Sequence, residues 1–357
     1  MSDSETGHAT RACFDNDKYL LAQTHEILGR MLLAPTSGSV YVEFGGKAHD
    51  DQHAARVLPG YDPHLKIRLL KSLSEQFEVV VVVSARDILR PRIRGDSQLF
   101  YDRETIRLIK NLSDAAVTVN HGVLSMVRED YENLDKDTLG HFIEMARTEL
   151  GISFIEHGFI TGYPGPHIFD NLPVFSRNPK IPSVRKNILV LSPGGGSGKF
   201  GVCLSQLFHD FRAGRNSSYM KFETFPVFGL DPNHPLNLAF LAATADLGNT
   251  LVEESVGGLT SYDKDMENFV LLRVLIDRFC PNQYENPLAG YQLPSDMSVN
   301  RLTAGFADEK CIENAAIQEI RRRILRYRGE IEKRIETIET MMHLELILPR
   351  ALQYLLD

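Results

Sequence analysis

Apolar and polar positions run in short blocks along the first half of the chain, and the blocks change period from one to the next. VYVEF (Val40 to Phe44) is a brief apolar run that predicts a strand. Asp62-Pro63 then opens a helix carrying Leu65, Leu69, Leu70 and Leu73, with proline at its first position. FEVVVVVS (Phe77 to Ser84) follows, and its unbroken valines suit a strand buried on both faces. Asp102 starts a second helix with Ile106, Ile109 and Leu112, and AAVTVN (Ala115 to Asn120) is the next strand. Asp137 to Leu150 predicts a third helix, GISFIEH (Gly151 to His157) a fourth strand, and NILVLS (Asn187 to Ser192) a fifth. The helix after it places Phe200, Leu204, Leu207, Phe208 and Phe211 on one face and stops at Gly214. Strands alternating with helices predict an α/β fold with a doubly wound, mostly parallel sheet. Such sheets bind ligands beyond the carboxyl ends of their strands. That rule selects the loops after Phe44, Val83 and Leu191.

The pattern divides the chain into a disordered N-terminus (1–13), an α/β domain (14–215), an α+β extension (216–311) and a C-terminal helical segment (312–357). Proline and glycine crowd the stretch from Gly162 to Pro182, a long ordered loop. In the last segment Ile324, Ile331, Ile335, Ile338 and Met342 follow heptad spacing. Packing on the chain's own domain is favoured over an intermolecular coil, and a homo-oligomer through this helix is the alternative.

Composition narrows the function classes. Of 357 residues, 43% are hydrophobic and 24% charged, as in a soluble globular protein. The formal net charge of −8 argues against nucleic acid or an anionic membrane as general partner. No apolar run approaches a membrane span, and the polar N-terminus lacks the apolar core of a signal peptide. Cys13, Cys203, Cys280 and Cys311 lie far apart, which predicts neither a disulfide framework nor a cysteine zinc site and fits a reducing, cytoplasmic location. Cys203, among apolar helix positions, reads as a small buried hydrophobe.

The chemistry begins with LVLSPGGGSGKF (Leu189 to Phe200), where a strand enters a glycine loop ending in lysine at the start of a helix. The full phosphate-loop pattern is G-x-x-x-x-G-K-[ST]. Here Gly198-Lys199 matches its end, Pro193 stands at the first glycine position, and Phe200 replaces the hydroxyl that binds Mg²⁺. Gly194, Gly195, Gly196, Ser197 and Gly198 let backbone N–H groups turn toward an anion, and Lys199 adds a charge. The pattern predicts a phosphate cradle that is not a standard Mg-ATP motor; the alternative is a plain strand-to-helix turn. Lys199 is expected to be exposed and Phe200 buried beside Leu204.

Three further groups carry candidate chemistry. In EFGGKAHDDQHAARV, Glu43 ends a strand, Lys47 follows two glycines, and Asp50, Asp51, His53 and Arg56 crowd together. His49 and His53 are i and i+4, a spacing that would put both imidazoles on one helical face. An exposed polar loop is the alternative there. IRGD supplies Arg92, Arg94 and Asp96, arginines placed as a charge clamp after a buried strand. KFETFPVFGLDPNHPLNLAFLAATADLGN interleaves Lys221, Glu223, Thr224, His234, Asn237 and Asp246 with apolar residues. No nucleophile elbow and no GxGxxG fingerprint is present.

Several of these segments together resemble one bacterial family. VEFGGKAHDDQHAARVLPGYDPHLKIRLLK, IRGDSQLFYDRETIRLI, PGGGSGKFGVCLSQLFHDFRAG, KFETFPVFGLDPNHPLNLAFLAATADL and SDMSVNRLTAGFADEKCIENAAIQEIRRR resemble the uncharacterised protein family numbered 0371, a domain of unknown function. The similarity runs from about Phe14 to Arg323. It implies a multidomain α/β cytoplasmic protein with a helical portion, and it implies no reaction. The family usually has an apolar residue at His49 and a proline at Gly195, and its helical tail after Arg323 is longer.

The expectation is an uncharacterised enzyme that holds a phosphorylated small molecule or nucleotide on Gly194–Lys199. Arg56 or Arg94 would neutralise charge, and Glu43, Asp51 or His53 would supply acid–base or metal chemistry. A weak Mg²⁺ or Mn²⁺ site on Asp50 or Asp51 is expected in preference to zinc. The alternatives are a non-catalytic phospho-ligand-binding or regulatory protein, and a metal-dependent hydrolase centred on Asp50, Asp51 and His53. One cleft holding Lys199, Arg94, His53 and Glu43 is the spatial test.

Overall fold

The structure, a computed structural model, describes residues 12–34, 37–90, 97–163, 165–170, 172–222, 227, 229–245, 261–280, 286 and 288–351. The side chains of 166, 170, 243–245, 261–264, 327, 330, 331 and 334–351 are not among them. Six strands form one parallel sheet: β1 (Val40–Phe44), β2 (Glu78–Ser84), β3 (Val119–Val127), β4 (Phe154–Gly158), β5 (Asn187–Leu191) and β6 (Ser218–Phe222). Their order across the sheet is β4-β3-β2-β5-β1-β6. β1 matches the predicted bounds. β3 does not, since residues 115–118 form the turn that closes the preceding helix and the strand continues to Val127. Ala116 takes a φ of 62°, which ends the helix where an extended run was expected. The boundary drawn at 215 falls just before β6, which pairs with β1 along its whole length.

The helices are α1 (Asn16–Leu33), α2 (Gln52–Val57), α3 (Leu65–Leu73), α4 (Ala85–Leu89), α5 (Tyr101–Asp114), α6 (Asn133–Leu150), α7 (Pro173–Ser176), α8 (Lys199–Arg212), α9 (Pro235–Ala245), α10 (Ser261–Phe279), α11 (Pro294–Met297) and α12 (Glu309–Ala351). α3 begins at Leu65, so Pro63 is not its first residue; Asp62 instead accepts from the His64 amide at 2.9 Å.

Alternation along the strands sorts the core into two layers. Val40, Val42, Phe44, Val79, Val81, Val83, Leu189 and Leu191 face α3, α5 and α6. Tyr41, Val80, Val82, Ile188, Val190 and Tyr219 face α7, α8 and α10. A third cluster joins Phe14, Tyr19, Val57 and Leu58 to Leu236, Ala239, Ile312 and Ala316, seating α9 and α12 on α2. Burying a side chain of this size contributes roughly 1.5–3 kcal/mol, so these layers dominate the stability. Within α12, Ile312 is buried but Ile324 is half exposed, so the isoleucine stripe is not buried at its first position. The side chains of Ile331, Ile335, Ile338 and Met342 lie outside the described residues.

Cys13 and Cys311 form a disulfide with Cα atoms 6.0 Å apart, against the expectation that the cysteines stay unpaired. Sequence separation hid the pair: the segment before α1 and the start of α12 meet only in the folded chain. Cys13 also donates its amide to Pro59 at 2.8 Å, so the predicted disorder does not reach it; residues 1–11 lie outside the description. Cys203 and Cys280 are free and buried, Cys203 as expected. Among the described residues no helix is long and apolar enough to cross a membrane.

Candidate anion-binding site

The sheet order locates the site. From β1 the chain passes over β5 to reach β2, then continues outward to β3 and β4. From β5 it passes over β1 in the opposite direction to reach β6. Right-handed crossovers in opposite directions place their helices on opposite faces, which matches the two core layers. The connections therefore diverge around β2, β5 and β1, leaving a crevice beyond their carboxyl ends. All three loops chosen from the sequence meet there. A cavity of about 70 Å³ is lined by Lys47 and Asp50 after β1, Ser97 in the segment after β2, and Ser192 and Pro193 after β5. α5 closes it with Glu104, Arg107 and Asn111.

Ser192 to Lys199 form the loop from β5 into α8. Gly198, the N-cap of α8, has φ 82° and offers no side-chain cap; Gly196 has φ 74°. A β-carbon at Gly194 would lie 2.8 Å from the Tyr101 hydroxyl, so α5 packs directly on the loop backbone. Ser125 anchors the loop from β3, donating to the Ser197 carbonyl at 2.5 Å. Among the described residues, the amides of Gly194, Gly195, Gly196, Gly198 and Lys199 meet no protein acceptor. The Ser197 hydroxyl is buried and also unpartnered.

Lys199 is buried, with 9% of its surface exposed, which overturns the expectation of a solvated side chain. As the first residue of α8 it lies against the sheet, where Phe200 also packs, 5.6 Å from the Tyr219 ring. Its ammonium donates to the Ser192 hydroxyl at 2.8 Å, and Ser192 passes a hydrogen bond to the Gly194 carbonyl at 2.7 Å. Burial pushes the Lys199 pKa down; the charge of Glu43 opposes this in part and that of Lys221 adds to it. Three other buried or half-buried lysines are paired: Lys66 with Asp51 at 2.8 Å, Lys180 with Asp210, and Lys221 with Asp265 of α10. Among the described residues Lys199 has no carboxylate within ion-pair distance. Glu43, on the same face of the sheet, accepts from the Tyr219 hydroxyl at 2.6 Å.

The other candidates divide among different surroundings. Asp51 caps α2, accepting from the Ala54 amide at 3.1 Å, and pairs with Lys66. Burial disfavours its charge, but Lys66 outweighs that and holds its pKa down. Asp50 takes a φ of 57° and accepts from Gln52 at 2.6 Å. That left-handed residue and the cap after it break the helical spacing of His49 and His53. His49 packs on His64, with ring centroids 4.9 Å apart, and His53 meets Phe240 edge-on. His53 Nδ1 accepts from Arg323 at 3.0 Å; burial, aided by Arg323, lowers its pKa to about 4. Arg56 joins the same group through Glu319 at 3.2 Å. Burial works against the Glu319 charge, yet Arg322, Arg56 and Arg323 hold its pKa at about 2.

The predicted single cleft is thus only partly formed. Glu43 lies near Lys199, whereas His53 and Arg56 belong to the α2–α12 contact, and Arg94 lies outside the described residues. The Asn237 side chain is spent on the backbone before α9, accepting from the Val227 amide at 2.9 Å and donating to the Asp231 carbonyl at 2.7 Å. His234 accepts from the Leu236 amide at 3.2 Å and lies 3.5 Å from Glu313. Glu223, Thr224 and Asp246 lie outside the described residues. Among the described residues no three His, Cys, Asp or Glu side chains are placed to hold a metal ion. Sequence reasoning missed Ser192, Glu104 and Arg107. Ser192 was findable as the last residue before the loop on the strand selected; the α5 pair carried no signal beyond helical spacing.

The sheet defines a doubly wound α/β protein with a crevice at the switch between strand directions. The chain belongs to the family described as "Domain of unknown function DUF1846, N-terminal", which matches residues 12–351. A UPF0371 protein of Corynebacterium urealyticum is 36% identical over 330 residues, covering 90% of this chain and 63% of that protein. UPF0371 proteins of Clostridium tetani and Fusobacterium nucleatum are each 36% identical over 344 residues, covering 94% of this chain and 65% of theirs. The chain therefore spans slightly less than two thirds of the length of these relatives.

Proposed function

We infer that this chain binds a phosphorylated small molecule, with the phosphate held at the Gly194–Lys199 loop. The observation that carries the reading is Lys199, a buried ammonium without a carboxylate partner, at the start of a helix whose leading amides have no acceptor. A buried cation is normally paired, because its desolvation costs several kcal/mol. An anion at the helix N-terminus supplies the missing charge and meets the free amides. The unpartnered Ser197 hydroxyl offers a further donor to the same group. Phe200, in place of the metal-binding hydroxyl, turns the reading away from Mg-ATP hydrolysis. Glu43 is the acid–base candidate on this side of the sheet.

Calorimetric titration of phosphate and pyrophosphate into the wild type and Lys199→Met tests this. A charge-assisted hydrogen bond contributes about 1.5–3 kcal/mol. The variant is expected to bind roughly tenfold to a hundredfold more weakly, at about 1.4 kcal/mol per decade. Absence of binding to the wild type, or equal binding by both proteins, leaves the loop as a turn.

A further inference from the structure

We propose that the Cys13–Cys311 disulfide is a reversible redox switch, locking α2 to the start of α12 when oxidised and loosening the two when a dithiol reduces it. The bridge closes a ring around α2. On one side Cys13 and Phe14 donate their amides to the Pro59 carbonyl at 2.8 and 3.0 Å, just beyond the end of α2. On the other, Glu319 of α12 accepts from Arg56 of α2 at 3.2 Å, and Arg323 of α12 donates to His53 at 3.0 Å. The disulfide joins the two sides covalently. α2 starts at its cap Asp51, one residue after Asp50 in the crevice wall, so a change in α2 reaches that wall.

The two sulfurs differ in access. Cys13 is 3% exposed and Cys311 is partly exposed, so a thiolate from solvent meets the Cys311 sulfur first. Attack there forms a mixed disulfide and releases Cys13. The second thiolate of the dithiol then attacks its own sulfur in the mixed disulfide, and Cys311 leaves. Two electrons pass to the pair, the dithiol ends as a cyclic disulfide, and its two protons return to the cysteines through water. Cys311 is the third residue of α12, where a helix N-terminus favours the departing thiolate. Asp308, which accepts from the Cys311 amide at 3.1 Å, opposes this in part. Reduction removes a staple and leaves the scaffold beneath it. Ala307 and Asp308 still donate to the Cys13 carbonyl at 2.9 and 3.2 Å, Phe14 still bridges Phe306, and Phe14, Ile312 and Ala316 keep their places in the third core cluster.

The experiment equilibrates the full chain with mixtures of reduced and oxidised dithiothreitol without denaturant. Acid quenches exchange of the thiols, which are then counted by alkylation of the denatured chain. The count is expected to move reversibly between two and four while far-UV circular dichroism stays constant. Amide hydrogen exchange of the two forms follows. On reduction, α2 and the first turns of α12 are expected to gain at least about tenfold more in rate than β2 does. The double variant Cys13→Ser/Cys311→Ser should exchange like the reduced wild type and ignore the redox mixture. A bridge that opens only in denaturant, a chain that unfolds on reduction, or an acceleration equal in α2, α12 and β2 would make the disulfide a fixed structural staple and overturn the switch.

Discussion

Replacing Lys199 by methionine should stabilise the unliganded protein slightly while removing its anion affinity. Lysine and methionine fill similar volume, so the helix start and the Phe200 packing are kept. The change removes a buried ammonium whose effective desolvation cost is several kcal/mol. Against that gain stand the hydrogen bond to Ser192, about 1.5–3 kcal/mol, and the attraction of Glu43, which is not in direct contact. Glu43 keeps the Tyr219 hydroxyl, and Lys221 remains nearby as a paired cation. The balance falls between neutral and about 2 kcal/mol of added stability. In a protein of 357 residues that is a rise of roughly 0–3 °C in Tm. Differential scanning calorimetry without ligand measures the first half, and phosphate titration the second. A drop worth more than about 3 kcal/mol, with phosphate affinity unchanged, would mean that Lys199 is a structural strut and the reasoning fails.

Other perturbations separate site from scaffold. Asp51→Ala removes a helix cap and strands buried Lys66, so it should cost about 3–5 kcal/mol, read by urea unfolding, and leave phosphate affinity of the folded fraction intact. His53 is depressed to about 4 in the folded state from 6.5, so its neutral form contributes stability that is complete above pH 6.5 and lost as pH falls toward 4. The full effect is about 3 kcal/mol, and His53→Gln should flatten the Tm–pH curve across that window. Thiol counting under denaturing, non-reducing conditions should find two reactive cysteines, Cys203 and Cys280, and Cys13→Ser should lower stability by about 2–5 kcal/mol.

The alternation of strand and helix was legible because each element carries its own period, and the carboxyl-end rule then chose the loops that meet at the cavity. β3 was misplaced because the AAVT run (115–118) closes a helix, while the real strand is interrupted by His121, Gly122 and Ser125. Those residues are explained only by neighbours: Phe154 covers Gly122, His121 meets Glu78, and Ser125 ties the loop. The glycine loop was readable as a motif, but its setting was not. A lysine after glycine reads as solvated, and only the sheet position of α8 shows that it is buried. Likewise Asp51 and His53 look like chemistry in one dimension, because Lys66 and Arg323, which occupy them, lie on other elements.

The central claim is most directly tested at the loop amides. With ¹⁵N-glycine labelling, titration of inorganic phosphate should shift Gly194, Gly195, Gly196 and Gly198 saturably, with a common Kd, while Gly140 in α6 and Gly151, which caps that helix, stay fixed. Loop signals that do not move, or that drift together with those of α6 without saturating, would contradict it.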